Sequence, residues 1–249
     1  MTNRDTGKPN ATAQARSRAR WCVIVPAYHE EKCIGRVIRE IHEHCPDVVV
    51  VDDGSTDNTL LVAEQAGAIV IRHETNMGKG IALNSGFSYA QQNGFDFVIV
   101  MDADGQHAPG EIPRFVEAYV RTGIPVLIGN RMADVHSMPL VRRCTNRFMS
   151  WLLSREMGQY VPDTQCGFRL YRSDVIPFVS TESVGYAAES EILLHIAERG
   201  IRIDNVPIST IYGDEQSSVH PVRDTWRFFN MLRRYRRARK AKQRRRWFR

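Results

Sequence analysis

From residue 21 onward, short apolar runs alternate with longer stretches in which apolar positions recur every three or four residues. The runs at 21–26, 48–51, 68–71, 95–101 and 126–128 have the length and β-branched content of buried strands. Residues 31–44, 57–66, 80–92 and 110–121 have the spacing of amphipathic helices. Such alternation predicts an α/β, Rossmann-like fold, with a mainly parallel central sheet and helices on both faces. Ser55 and Thr56 are placed to cap the helix that follows them, and Gly67 and Gly94 fall where helices should stop. Beyond Gly129 the pattern loosens into a helix at 140–156, a strand at 168–172, a helix at 187–199 and a strand at 201–206. With neither an internal repeat nor a long linker, this half is expected to complete the same domain over 21–220.

In open α/β sheets ligands gather at the carboxyl ends of the strands. Three polar clusters fall there: Tyr28, His29 and Glu30; Asp52 to Ser55; and Asp102 to His107. Asp102 and Asp104, one residue apart after an apolar strand, repel each other, and a hard divalent cation would relieve that repulsion. A solvated turn is the alternative for this pair taken alone. Asp52 and Asp53 are adjacent and face opposite ways, which leaves Asp52 a structural role.

Charge divides the chain. Residues 1–20 carry a net +4, 21–220 a net −10 and 221–249 a net +12. The acidic middle must therefore concentrate positive charge locally if it binds an anion. The first twenty residues have no apolar periodicity and are expected to be a mobile tail. Five cysteines without a C-x-x-C pair suit a reducing compartment. No apolar run approaches the roughly 18–20 residues that span a bilayer, and the N-terminus lacks the apolar stretch of a secretory signal.

The segments VPAYHEE at 25–31, VVDDGSTDNT at 50–59, NMGKG at 76–80, MDADGQHAP at 101–109, GNR at 129–131 and DTQCGFRLYR at 163–172 occur in that order. Together they resemble the inverting glycosyltransferases of family 2, most closely the dolichol-phosphate mannosyltransferase and polyprenyl-phosphate glycosyltransferase branch, over about 21–235. The resemblance implies a GT-A fold, a GDP- or UDP-hexose donor and Mg²⁺ or Mn²⁺. It places Pro26, Tyr28, Glu30, Asp53 and Lys79 at the nucleotide-sugar, with Asp53 facing the base. It gives Asp102, Asp104 and Gln106 to the metal and diphosphate, and Arg131 and Arg142 to the transferring and acceptor phosphates. Arginine suits that last role because its planar fork grips phosphate bidentately. Arg142, Arg143 and Arg147 also fit a solvated helix face, and His107 an orienting or capping role.

A polyprenyl phosphate is already an anionic nucleophile, whereas a hydroxyl acceptor needs a base. Glu189 and Glu191 stand where relatives that glycosylate hydroxyls carry a Glu-Asp pair, and two residues apart on a helix they cannot share a face. One of them, or Asp163, would be the base if the acceptor were a hydroxyl. A third reading is a non-catalytic nucleotide-sugar binder. The loop at 212–218 is expected beside the acceptor.

Phe228, Met231, Leu232 and Tyr235 form a stripe at helical spacing among arginines. A basic amphipathic arm over 223–249 suits peripheral contact with an anionic, cytoplasmic membrane face; packing of the stripe on the core is the alternative. Nucleic acid is disfavoured for want of a binding fold, and the Gln243 to Trp247 match to a Q-x-x-R-W motif is coincidental in so arginine-rich a tract.

Overall fold

A computed structural model of the chain describes residues 11–133, 140–179, 186–209 and 221–247. Seven strands form one sheet: β1 (Trp21–Ala27), β2 (Val48–Asp52), β3 (Ile69–Arg72), β4 (Phe97–Val100), β5 (Val126–Asn130), β6 (Arg169–Arg172) and β7 (Ile203–Pro207). Their spatial order is β3-β2-β1-β4-β6-β5-β7. Every pairing is parallel except those of β6, which runs antiparallel to both β4 and β5. All five residues of β2 and all four of β4 are buried, as strands covered on both faces require.

The helices are α1 (Ala11–Ser17), α2 (Ile34–His42), α3 (Thr59–Gln65), α4 (Lys79–Gln92), α5 (Ile112–Thr122), α6 (Leu140–Met157), α7 (Tyr186–Glu198) and α8 (Pro221–Trp247). α4 packs on β1 and β2 and meets α7; α2 and α3 pack on each other and on β2; α5 lies against β7. Ile34, Val37, Ile38 and Ile41 show why α2 forms and where it docks, since they repeat at helical spacing and are all buried. Fully burying one such side chain contributes roughly 1.5–3 kcal/mol.

Three expectations are corrected. Residues 11–20 are not a free tail: α1 packs on α5, and Arg16 Nη1 donates to the Tyr119 carbonyl at 3.4 Å. That carbonyl lies in the last turn of α5, where it also accepts the Gly123 N–H at 2.8 Å and where the helix dipole favours a cation. The backbone N–H of Arg20 donates to Asp96 Oδ2 at 2.7 Å. Neither Ser55 nor Thr56 caps α3, whose N-cap is Asn58; both serve β1's loop instead, as described below. The apolar stripe of α8 faces inward, with Phe228, Met231, Leu232 and Tyr235 buried and the helix packed on α7. Its first and last turns carry side chains outside the described residues.

All five cysteines are free, and only Cys144 is exposed. Burial pushes the Cys45 and Cys166 thiols up to about 11 and about 12, so they act as small core side chains.

Candidate active site

At the end of β1 the chain turns sharply through His29, a non-glycine residue at φ 58°. Such a conformation persists only where surroundings impose it. Here Ser55 Oγ accepts the His29 backbone N–H at 3.0 Å, Thr56 Oγ1 lies 3.0 Å from His29 Nε2, and Thr59 Oγ1 accepts the Glu30 N–H at 2.8 Å. The turn presents Tyr28, 44% exposed, stacked on the His29 ring at 4.0 Å. An exposed aromatic face at a strand end suits stacking against a planar ring. Pro26 lies one pleat deeper, paired with Val51.

Asp52 and Asp53 behave as their alternation predicts. Asp52 is wholly buried, and its Oδ1 accepts the Ser55 N–H at 3.1 Å. Asp53 faces the other way, yet its carboxylate is not a free group awaiting a base. It accepts the backbone N–H groups of Met77 at 3.0 Å and Gly78 at 2.7 Å, and His73 Nδ1 lies 2.7 Å from Oδ1. Gly78 is the N-cap of α4, so Asp53 sets an anion on otherwise unpaired helix N–H groups. The adjoining Gly54 has φ +75° and a Cβ there would meet the Thr75 carbonyl carbon at 2.4 Å, so only glycine allows the two loops to touch.

That clamp aims Lys79, the first residue of α4. Its Nζ lies 2.6 Å from Asp102 Oδ1 and 2.7 Å from Glu189 Oε1. Burial works to lower the lysine pKa, but the two carboxylates overcome it and hold the ammonium well above the ordinary lysine range. Burial would likewise raise Asp102; Lys79, with help from His107, takes its carboxyl well below the usual carboxylate range. Among the described residues Asp104 has no ion pair of its own. Burial and then the Asp102 charge raise its pKa, against the hydrogen bond it accepts from the Gln106 N–H at 3.0 Å. The Gln106 contribution seen here is thus from its backbone.

His107 lies with Nε2 3.6 Å from Asp102 Oδ2 and its ring against Phe168, which agrees with an orienting role. Among the described residues its buried Nδ1 has no hydrogen-bond partner, and neither has Glu189 Oε2. Glu189 is therefore the inward member of the α7 pair; Glu191 is half-buried.

The antiparallel β6 brings the second half of the site to the same edge. Val100 pairs with Arg169, so two residues onward along β4 meet two residues back before β6. Gly167 accordingly backs onto Asp102, where a Cβ would lie 2.4 Å from Oδ2. Arg131, placed among the phosphates by the resemblance, is buried and holds Asp163 through Nε to Oδ2 at 2.7 Å and Nη2 to Oδ1 at 2.9 Å. Its fork is filled by a carboxylate, so it shapes this side of the site through Asp163. The α6 face adds Asn146 Nδ2, 3.4 Å from Asp163 Oδ1, and Ser150, whose Oγ accepts the Thr164 N–H at 2.9 Å. The side chain of Arg142 and the loop at 212–218 lie outside the described residues.

Sequence reasoning missed two organisers. His73 bridges Asp53 to Ser85 Oγ at 2.9 Å. Arg169, wholly buried, donates to the carbonyls of Cys166, Thr164 and Glu189 at 2.7, 2.9 and 3.0 Å, tying the loop before β6 to α7. An arginine within an apolar strand was the available signal, since a buried guanidinium must find acceptors.

Among the described residues no group of three or more His, Cys, Asp or Glu side chains surrounds a common point. Asp102 and Asp104 still fit a hard cation: magnesium is commonly held by one or two carboxylates with substrate phosphates completing the shell, and Asp104 is a half-buried carboxylate with no ion pair among the described residues.

The glycosyl transferase family 2 profile matches residues 22–177. The chain belongs to that family. As a glycosyltransferase it is 34% identical to an undecaprenyl-phosphate mannosyltransferase of Micrococcus luteus, over 76% of this chain and 82% of that protein. It is 31% identical to a UDP-N-acetylglucosamine–dolichyl-phosphate N-acetylglucosaminyltransferase of Methanococcus voltae, over 76% and 85%. With the polyprenol monophosphomannose synthase of Mycolicibacterium smegmatis it shares 30% identity over 83% of each chain. Among solved structures, glucosyl-3-phosphoglycerate synthase of Mycobacterium tuberculosis in complex with UDP superposes with a TM-score of 0.66 at 23% identity, covering 88% of this chain and 80% of that one. This likeness confirms the fold.

Proposed function

We propose that this glycosyltransferase moves a hexose from GDP- or UDP-sugar to a polyprenyl phosphate, with inversion and with Mg²⁺ or Mn²⁺. One observation carries the choice of acceptor: of the three candidates for a base, the inward Glu189 and Asp163 are each already held by a cation, Lys79 and Arg131, and Glu191 is not the inward member of the α7 pair. A hydroxyl acceptor would need one of them released to take its proton. A lipid phosphate needs only alignment and stabilisation of the leaving group. The names of the relatives, three of which carry lipid phosphates as acceptors, support the same reading.

In this reading Tyr28 stacks on the nucleotide base, with Pro26 and Glu30 bounding its pocket. Asp53 acts one step removed, by fixing the turn from which Lys79 reaches the diphosphate. Asp102 and Asp104, with Gln106 beside them, would hold the cation, which when bound neutralises charge on the leaving nucleoside diphosphate. Glu189 holds Lys79 in place, and Arg142 is the proposed phosphate ligand of the acceptor. No described helix is long and apolar enough to cross a membrane, and the protein is proposed to act peripherally at the cytoplasmic membrane face, with the basic arm of 223–249 adding electrostatic attraction.

The test is transfer of radiolabelled sugar from a panel of UDP and GDP donors into organic-extractable polyprenyl phosphate with Mn²⁺ or Mg²⁺. Extractable label that disappears in Asp104→Ala supports the proposal and names the donor. Nucleotide release without lipid labelling refutes the acceptor assignment.

A further inference from the structure

α6 has apolar residues on both sides, and only one side is used by the fold. Met149, Leu153 and Met157 are buried with Asn146 and Ser150. The opposite side carries Leu140, Cys144, Phe148 and Trp151 at intervals of four, four and three residues, one continuous stripe on a helix. Leu140 is 74% exposed, Phe148 51% and Trp151 55%. The Phe148 and Trp151 rings lie 6.2 Å apart, and the Arg155 guanidinium is 6.0 Å from the Trp151 ring. Large apolar side chains gathered in this way mark a contact surface rather than scattered exposure.

The charge around the stripe selects the occupant. Arg147 and Arg155 are exposed on this side. The only acid of α6, Glu156, points sideways to Arg236 of α8, whose Nε donates to it at 3.0 Å. α6 and α8 both rest on α7, and the outward side of α8 continues the theme with exposed Trp226, Phe229 and Arg233. A second copy of the chain docked face to face here would set arginine against arginine, with no exposed acid among the described residues of this face to pair. Aromatic rings flanked by arginines match the headgroup layer of an anionic bilayer, where an amphipathic ring sits at the interface and each basic residue finds a phosphate.

Position agrees. The inner side of the same helix reaches Asp163 and Thr164, next to the Lys79 and Asp102 centre. We propose that the outward face of α6 seats the protein on an anionic phospholipid surface, with Leu140, Phe148 and Trp151 entering the interface and Arg147 and Arg155 on lipid phosphates. A lipid-borne phosphate would then meet the site at the helix that separates it from the membrane; this consequence rests on the acceptor proposed above.

The experiment is flotation of the full chain with vesicles of equimolar phosphatidylglycerol and phosphatidylcholine, beside vesicles of phosphatidylcholine alone. The paired substitution Phe148→Ser and Trp151→Ser leaves α8 and the basic arm intact and should weaken binding to the anionic vesicles by roughly tenfold or more. Arg147→Glu with Arg155→Glu should lose the preference for the anionic vesicles by a similar factor. Transfer to a water-soluble short-chain prenyl phosphate should be unchanged in the Ser pair, and transfer to vesicle-embedded polyprenyl phosphate reduced. Variants that float like the parent overturn the proposal, as does sedimentation showing a dimer that the Ser pair dissociates while vesicles are ignored. If neither acceptor is labelled but flotation still depends on Phe148 and Trp151, the membrane seat stands and the acceptor reading falls.

Discussion

Replacing Lys79 with methionine tests the electrostatic centre most directly. The parent places one ammonium 2.6 Å from Asp102 and 2.7 Å from Glu189. Methionine keeps the length of the side chain and removes the charge, leaving two carboxylates facing a neutral group. Breaking a buried ion pair from one side costs roughly 3–5 kcal/mol. Lys79 and Asp102 are each about a quarter exposed, so water relieves part of this, and the lower end, about 3 kcal/mol, is expected. For a chain of this size each kcal/mol moves Tm by about 2–4 °C, so a fall of about 6–12 °C follows. The pH dependence has a definite sign. Asp102 in the parent has a lowered folded pKa, so its contribution is present above the unfolded value of about 3.9 and disappears only as pH falls through the lower folded value. Without Lys79 burial raises Asp102 instead, so the variant should recover relative to the parent as pH drops from about 7 to about 5. Calorimetry in the absence of divalent metal is the assay. A Tm within roughly 2 °C of the parent at pH 7 would refute the reasoning.

Other substitutions give sharper contrasts. Asp104→Asn should abolish transfer yet raise metal-free stability at neutral pH by roughly 1 kcal/mol, since a carboxyl with a raised folded pKa opposes folding while ionised; denaturant titration should show the gain vanish in acid. Arg131→Lys keeps the charge but loses the bidentate grip on Asp163, and a loss of about 2–4 kcal/mol is expected in the same titration. Gly167→Ala drives a methyl group against Asp102, so turnover should fall by on the order of a hundredfold while circular dichroism shows the fold retained.

The sheet, its helices and the edge that bears the site were legible because each depends on local pattern: β2 reads as an unbroken buried strand, and α2 as a helix with one apolar face. The pairing of charges was not. Arg131 and Asp163 are far apart in the chain, and nothing in either segment says that a phosphate-binding fork will close on a carboxylate. Asp53 shows the same limit, because its partners are backbone N–H groups exposed by the start of α4. Ser55 and Thr56 have cap-like spacing before a helix, but the strained His29 turn from another strand claims them first. The outward stripe of α6 was hidden by its inward one, since a helix with apolar residues on two sides gives only a weak amphipathic signal.

The place of β6 bears on how the molecule assembles. It sits between β4 and β5, both of which precede it in the chain. As the chain emerges during synthesis, β1 to β4 can pair and α4 can cover them, but β5 has no partner in that sheet until β6 arrives, and β4 keeps an open edge. The sheet thus closes late, by insertion of a strand whose partners are distant in sequence, the kind of step that slows folding. Two apolar strand edges stay exposed in the interval and offer templates for pairing between chains. Substitutions that weaken the loop before β6, such as loss of Arg169, should therefore lower the yield of folded protein during expression more than they lower the stability of molecules already folded.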